Sequence, residues 1–168
     1  MPEFKGFAGS PKIAQAPVEQ TDCFLCGIAG LSSGNLEEAY RCFSQLPHCP
    51  AALFNLAVCF QTAKMYEKAL ECLECAENQI SAQVSPLPQS GVIPAELLQH
   101  DAQGEGYRMP MSWQTPTLFP AQAKLRILRL KADLYDALGY KEELLKMMPL
   151  FSGKNYKNIE MLKAKLKM

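Results

Sequence analysis

Nowhere in the 168 residues is there an uninterrupted apolar run of the ~18 residues that a membrane span needs. Met1–Gln20 also lacks the apolar core of a secretory signal, because charges and prolines are scattered through it. No Walker-type phosphate loop, G-x-S-x-G or G-x-G-x-x-G run occurs. Histidine is scarce, with two in the chain, and tryptophan occurs once. His48-Cys49 is the one adjacent His/Cys pair, and it sits at a proline-flanked turn, where neighbours in sequence seldom orient a base on a nucleophile. An enzyme assignment has no residues to stand on, so the expectation is a non-catalytic protein with no cofactor and no metal. An excess of one charge is missing as well, since the formal net charge is zero. Residues 1–120 nevertheless hold 6 basic and 12 acidic side chains, and residues 121–168 hold 11 and 5. That polarity favours oriented docking on another protein and argues against nucleic acid, whose binders are basic over the contact surface.

What the chain does have is a 48% hydrophobic composition, enough for one folded domain. It also has seven cysteines, an odd number, all between Cys23 and Cys75. Without a secretory signal these imply a reducing compartment, the cytosol or nucleus, and no disulfide framework. Cys23-x-x-Cys26 and Cys72-x-x-Cys75 together have the four thiols of a zinc site. Structural zinc takes its paired cysteines from tight turns, whereas both pairs lie in segments of helical period. Packing as small apolar side chains is therefore the expectation. A zinc-binding or redox-sensing cysteine module is the alternative.

Residues 1–20 carry three prolines and two glycines without periodicity, which predicts a flexible leader, part of it around "MPEF" being vector-derived or a tethered peptide. From residue 21 the apolar pattern is helical. Leu53, Leu56, Ala57 and Phe60 share one face, and Leu70, Leu73, Ala76 and Ile80 share another, joined by the polar "QTAKMYEK". "TDCFLCGIAGLSSGNLEEAYRCFSQL" repeats the arrangement upstream, and Pro50 suits the first turn of the next helix. Six of the twelve prolines fall in residues 81–120, which predicts a long insertion with a short helix at Ala95–Gln99. Periodicity resumes over 121–138 and 141–148 around Gly139, and Asn155–Met168 reads as a final amphipathic helix rich in lysine. That helix is expected to cap the array, or to continue into a longer one.

"GNLEEAYRCF" and "KMYEKALECL" align with Ala39 above Ala69, and "GYKEELLKMM" is a weaker third copy with Leu144 in that place. Upstream of each stands a small residue, Gly27, Ala57 or Ala132, where two helices approach closely. These residues, over roughly 21–80 and 121–151, resemble the tetratricopeptide repeat (TPR) family. The second copy matches best, through Leu56-Ala57, Phe60, Tyr66, Ala69, Leu73 and Ala76. The resemblance implies an all-α fold, an α-solenoid of about three helical hairpins over residues 21–168 with the insertion at 81–120.

It further implies a groove lined by the first helix of each hairpin, made by Phe24 and Ile28, then Phe54, Asn55, Val58 and Thr62, then Arg126, Arg129, Asp133 and Asp136. Asn55 matches one member of the family's chaperone-tail clamp, but Phe24 and Ile28 replace its cationic and amide positions, which argues against that ligand. An apolar peptide or amphipathic helix of a complex partner suits these side chains better, so the expected role is an interaction adaptor or scaffold. Trp113, with Tyr107, Met109, Met111 and Phe119, gives the insertion the residue types of an interface. Two readings stand for it: a second docking surface, or a loop packed over the chain's own helices.

Overall fold

The computed structural model describes residues 18–82 and 94–167, and every regular element among them is helical. The predicted leader, apart from residues 18–20, lies outside the described residues. In chain order the helices are α1 (Val18–Ser33), α2 (Leu36–Ser44), α3 (Pro50–Thr62), α4 (Tyr66–Ala82), α5 (Ala95–Gln103), α6 (Thr115–Leu118), α7 (Pro120–Leu138), α8 (Lys141–Met147) and α9 (Lys157–Leu166). α1 therefore starts three residues ahead of the expected boundary. The insertion is not structureless where it is described: it holds α5, a 3-10 turn at Gly106–Arg108, and α6.

Local chemistry sets the helix starts. Asn35 caps α2 by accepting from the Glu38 amide at 3.3 Å, and Glu38 returns the contact by accepting from Asn35 Nδ2 at 2.9 Å. Cys49 caps α3 with its sulfur, 3.4 Å from the Ala52 amide, ahead of Pro50 in the first turn.

The ends of α1, α3 and α7 are built alike. In each, a residue in the left-handed region follows the helix, and the next amide donates to a carbonyl five residues back. Those bonds are Asn35 to Gly30 at 2.8 Å, Met65 to Phe60 at 2.8 Å and Tyr140 to Tyr135 at 2.9 Å. The left-handed residues are Gly34, Lys64 and Gly139, with φ of 81°, 60° and 73°. This is the Schellman closure, which satisfies the last carbonyls and turns the chain at once. Each turn leads within two residues into the following helix, which packs back on its predecessor, so α1–α2, α3–α4 and α7–α8 run antiparallel.

The helix pairs share a register counted from these turns. Ala39, Ala69 and Leu144 are all buried five residues after the left-handed residue, and Gly27, Ala57 and Ala132 are all buried seven before it. Close approach explains the small residues: a Cβ on Gly27 would sit 2.7 Å from the Phe43 ring. α2 packs on α3 and α4 on α7, so the pairs follow one another although residues 83–119 separate the last two. One core runs through α1–α4, α7 and the insertion. A second joins Ala132, Leu144, Met147, Met148, Phe151, Ile159 and Leu162 under α9.

Candidate functional site

The face made by α1, α3 and α7 is where the sequence places a groove, and the chain itself covers most of it. Residues 106–113 run across all three helices as a strap. At α7, the Tyr107 hydroxyl donates to Asp133 at 2.5 Å, and Arg108 donates to the same oxygen from Nε at 3.1 Å and Nη2 at 2.6 Å. At α3, the Asn55 side chain, fully buried, pairs with both polar groups of Met111: the Met111 amide donates to Oδ1 at 2.6 Å, and Nδ2 donates to the Met111 carbonyl at 3.0 Å. At α1, Trp113 meets Phe24 edge-on, with ring centroids 5.1 Å apart. Tyr107 and Met111 are fully buried members of the main core.

A backbone segment withdrawn from water needs its bonds replaced, and an amide side chain offers a donor and an acceptor on separate atoms, matched to a backbone C=O and N–H. Asn55 is thus explained by an extended segment beside it. Asn55 was expected to hold a partner's peptide; in the structure it holds the chain's own Met111.

Arg129 is the other buried polar residue of this face, 1% exposed. It stands ten residues before Gly139, as Phe24 and Phe54 stand ten before Gly34 and Lys64, so a guanidinium takes the place of two phenylalanines. Its Cζ lies 4.0 Å from the Tyr107 ring centroid and 4.7 Å from that of Tyr156. It donates to Asn158 Oδ1 at 3.0 Å and to the carbonyls of Asp101, Ala102 and Gly104 at 3.2–3.4 Å. The carbonyls at the end of α5 are satisfied in this way, and the Asp101 carboxylate lies 3.8 Å off. Burial lowers the pKa of Arg129, with Tyr107 and Asp101 working the other way. Burial also holds the Tyr107 hydroxyl well above the usual range, helped by its bond to Asp133.

Arg126 is half-buried over the Phe54 ring at 4.9 Å and donates to the Met109 carbonyl from Nη2, while its buried Nε has no partner among the described residues. Desolvation draws its pKa down to about 10.

The expected groove residues thus divide. Phe24, Phe54, Asn55 and Arg129 are buried under the strap or against α5 and α9, so a partner cannot touch them while it lies there. Ile28 packs on the main core and Asp136 pairs with Lys165 of α9 at 2.5 Å. Val58, Thr62 and Asp133 do come together, in an open cleft of about 450 Å³. Gln61, Lys64, Tyr66, Arg108, Leu134 and Ala137 complete its walls. Lys64, Tyr107, Arg108 and Asn158 carried no groove signal in the sequence. A second cavity, about 250 Å³, lies between Trp113, Pro116 and the His48–Pro50 corner at the far end of the strap.

The cysteines need correction at two positions: Cys26 and Cys75, expected to pack as small apolar side chains, are exposed. Cys23 donates to the Cys42 carbonyl at 3.3 Å. Among the described residues no three His, Cys, Asp or Glu side chains are grouped to hold a metal. Burial pushes the Cys42, Cys59 and Cys72 thiols up to about 11, away from the thiolate that redox or metal chemistry uses. No family model matches the chain, and no curated protein or solved structure matches it.

Proposed function

We propose that this is a TPR-like α-solenoid of three hairpins acting as a non-catalytic adaptor in the cytosol or nucleus, holding a peptide or amphipathic helix of a complex partner. The observation that carries the reading is the threefold recurrence of one turn with small or apolar buried residues in register around it. Units of this kind bury their faces on one another and use the first-helix side for binding. The strap alters where the partner sits. It fills the α1–α3 part of the groove, so the open cleft beside Val58, Thr62 and Asp133 is the contact surface, and Phe54 and Arg129, buried away from that cleft, are not part of it.

The test is a photo-crosslinking amino acid at Thr62, which is exposed in the cleft, with a control at Glu71, exposed on α4. A partner crosslinked in cells from position 62 and not from position 71 is the expected result. Equal capture from both positions, or capture from 71 alone, refutes the cleft as the docking surface.

A further inference from the structure

Lys64 is out of place. The same turn closes α1 and α7 with glycine, which enters the left-handed region freely, while α3 closes with a lysine at φ 60°. A side chain kept where its backbone is disfavoured points to a use for that side chain. Its position supplies one, because Lys64 lines the open cleft and makes no ion pair among the described residues.

The other charges of the cleft do not neutralise it. Asp133 is already occupied: its two oxygens accept from Tyr107, twice from Arg108, and from Asn158 Nδ2 at 3.0 Å. Its charge is matched by Arg108, leaving Lys64 in surplus. Arg108 spends Nε and Nη2 on Asp133, while its Nη1 lies 3.8 Å from the exposed Glu105, too far for a good bond. Among the described residues the cleft therefore presents the Lys64 ammonium without an ion pair, and the Arg108 Nη1 edge shared with Glu105 at 3.8 Å, beside the accessible apolar surface of Tyr66 and Ala137.

We propose that this cleft receives an aspartate or glutamate side chain of the partner segment, with Lys64 as its main contact and Arg108 as the second. The proposal rests on the adaptor reading and gives it a specificity: an acidic residue next to an apolar one. Opposite charge at a partly enclosed site adds selectivity more than raw affinity, so neutral segments of similar shape bind but lose the competition.

The test is selection of random peptides displayed on phage against the whole chain and its Lys64→Gly variant. Glycine relieves the turn, so this variant melts at or above the parent temperature, and lost binding cannot be unfolding. The expected result is enrichment of peptides with Asp or Glu at a fixed spacing from an apolar residue. Their binding then weakens about fivefold for Lys64→Gly, and equally when the peptide acid is made Asn or Gln. Enrichment without an acidic preference, or unchanged binding by Lys64→Gly, overturns the proposal and leaves the adaptor reading standing. If no peptide is enriched on the parent chain, both fall.

Discussion

Asn55→Ala removes two hydrogen bonds at once from a Met111 peptide group that is fully buried. Each buried backbone group left without a partner costs about 1–3 kcal/mol, so the strained outcome, with two such groups, is a loss of roughly 2–6 kcal/mol. The chain has an escape, which is to let the strap lift and return the Met111 peptide to water. That gives up burial of the Met111 side chain, about 1.5–3 kcal/mol. It also gives up the contact of Trp113 with Phe24, about 0.5–1.5 kcal/mol. The ranges overlap and the chain takes the cheaper route, so the expected loss is about 2–4.5 kcal/mol, a large fraction of a domain's ~5–15 kcal/mol. They differ in signature. The chain has one tryptophan, so its emission reports the strap alone, while far-ultraviolet circular dichroism reports the helices. Urea unfolding followed by both probes should show a lower midpoint. If the strap lifts, emission is red-shifted before any helix is lost. Asn55→Asp should be no milder, because a carboxylate oxygen would then face the Met111 carbonyl. A variant within about 0.5 kcal/mol of the parent and with unchanged emission would refute the assigned role of Asn55.

Gly27→Ala brings a Cβ to 2.7 Å from the Phe43 ring, and overpacking of that kind costs about 1–3 kcal/mol, read as a lower melting temperature. Arg129→Lys keeps the charge but loses the flat group between Tyr107 and Tyr156 and leaves the α5 carbonyls unpaired, so about 3 kcal/mol should be lost in the same assay. Alkaline pH should destabilise the fold. The Cys59 and Cys72 thiols are raised from 9.0 to about 11, and Tyr107 is raised too. The unfolded chain therefore releases protons that the folded chain keeps, and the stability they contribute is complete below about pH 8.5 and falls as pH rises towards 11. Urea midpoints near pH 7.5 and pH 10.5 should differ by a fall, with a slope of about 1.4 kcal/mol per pH unit for each proton retained. A flat profile would count against buried thiols.

The helices were legible because their apolar positions repeat with the period of a helix, and Leu70, Leu73, Ala76 and Ile80 are all buried as that period requires. The turns at Gly34 and Gly139 were legible to the residue because glycine marks them, whereas the third was legible only as a turn within the polar "QTAKMYEK" stretch and not placed at Lys64, because a lysine stands in the glycine's place. The site was read at the level of residue type and missed at the level of ligand. Asn55 and Met111 are 56 residues apart, and no local pattern in an irregular segment announces which face it will cross. Arg129 was placed in the groove by the resemblance to the TPR family; tyrosines from both the strap and the segment before α9 enclose it, and neither has a helical period to predict where it lands. The two readings held for the insertion are thus separated by long-range contacts alone.

Whether the strap occupies the groove is measured most directly by amide hydrogen exchange at Met111. Its N–H is held by Asn55 Oδ1 at 2.6 Å under a fully buried side chain, so it should exchange as slowly as the amides in the middle of α3. Exchange at the rate of an unprotected peptide would mean that the strap does not cover the groove, and that Phe54 and Asn55 face a partner after all.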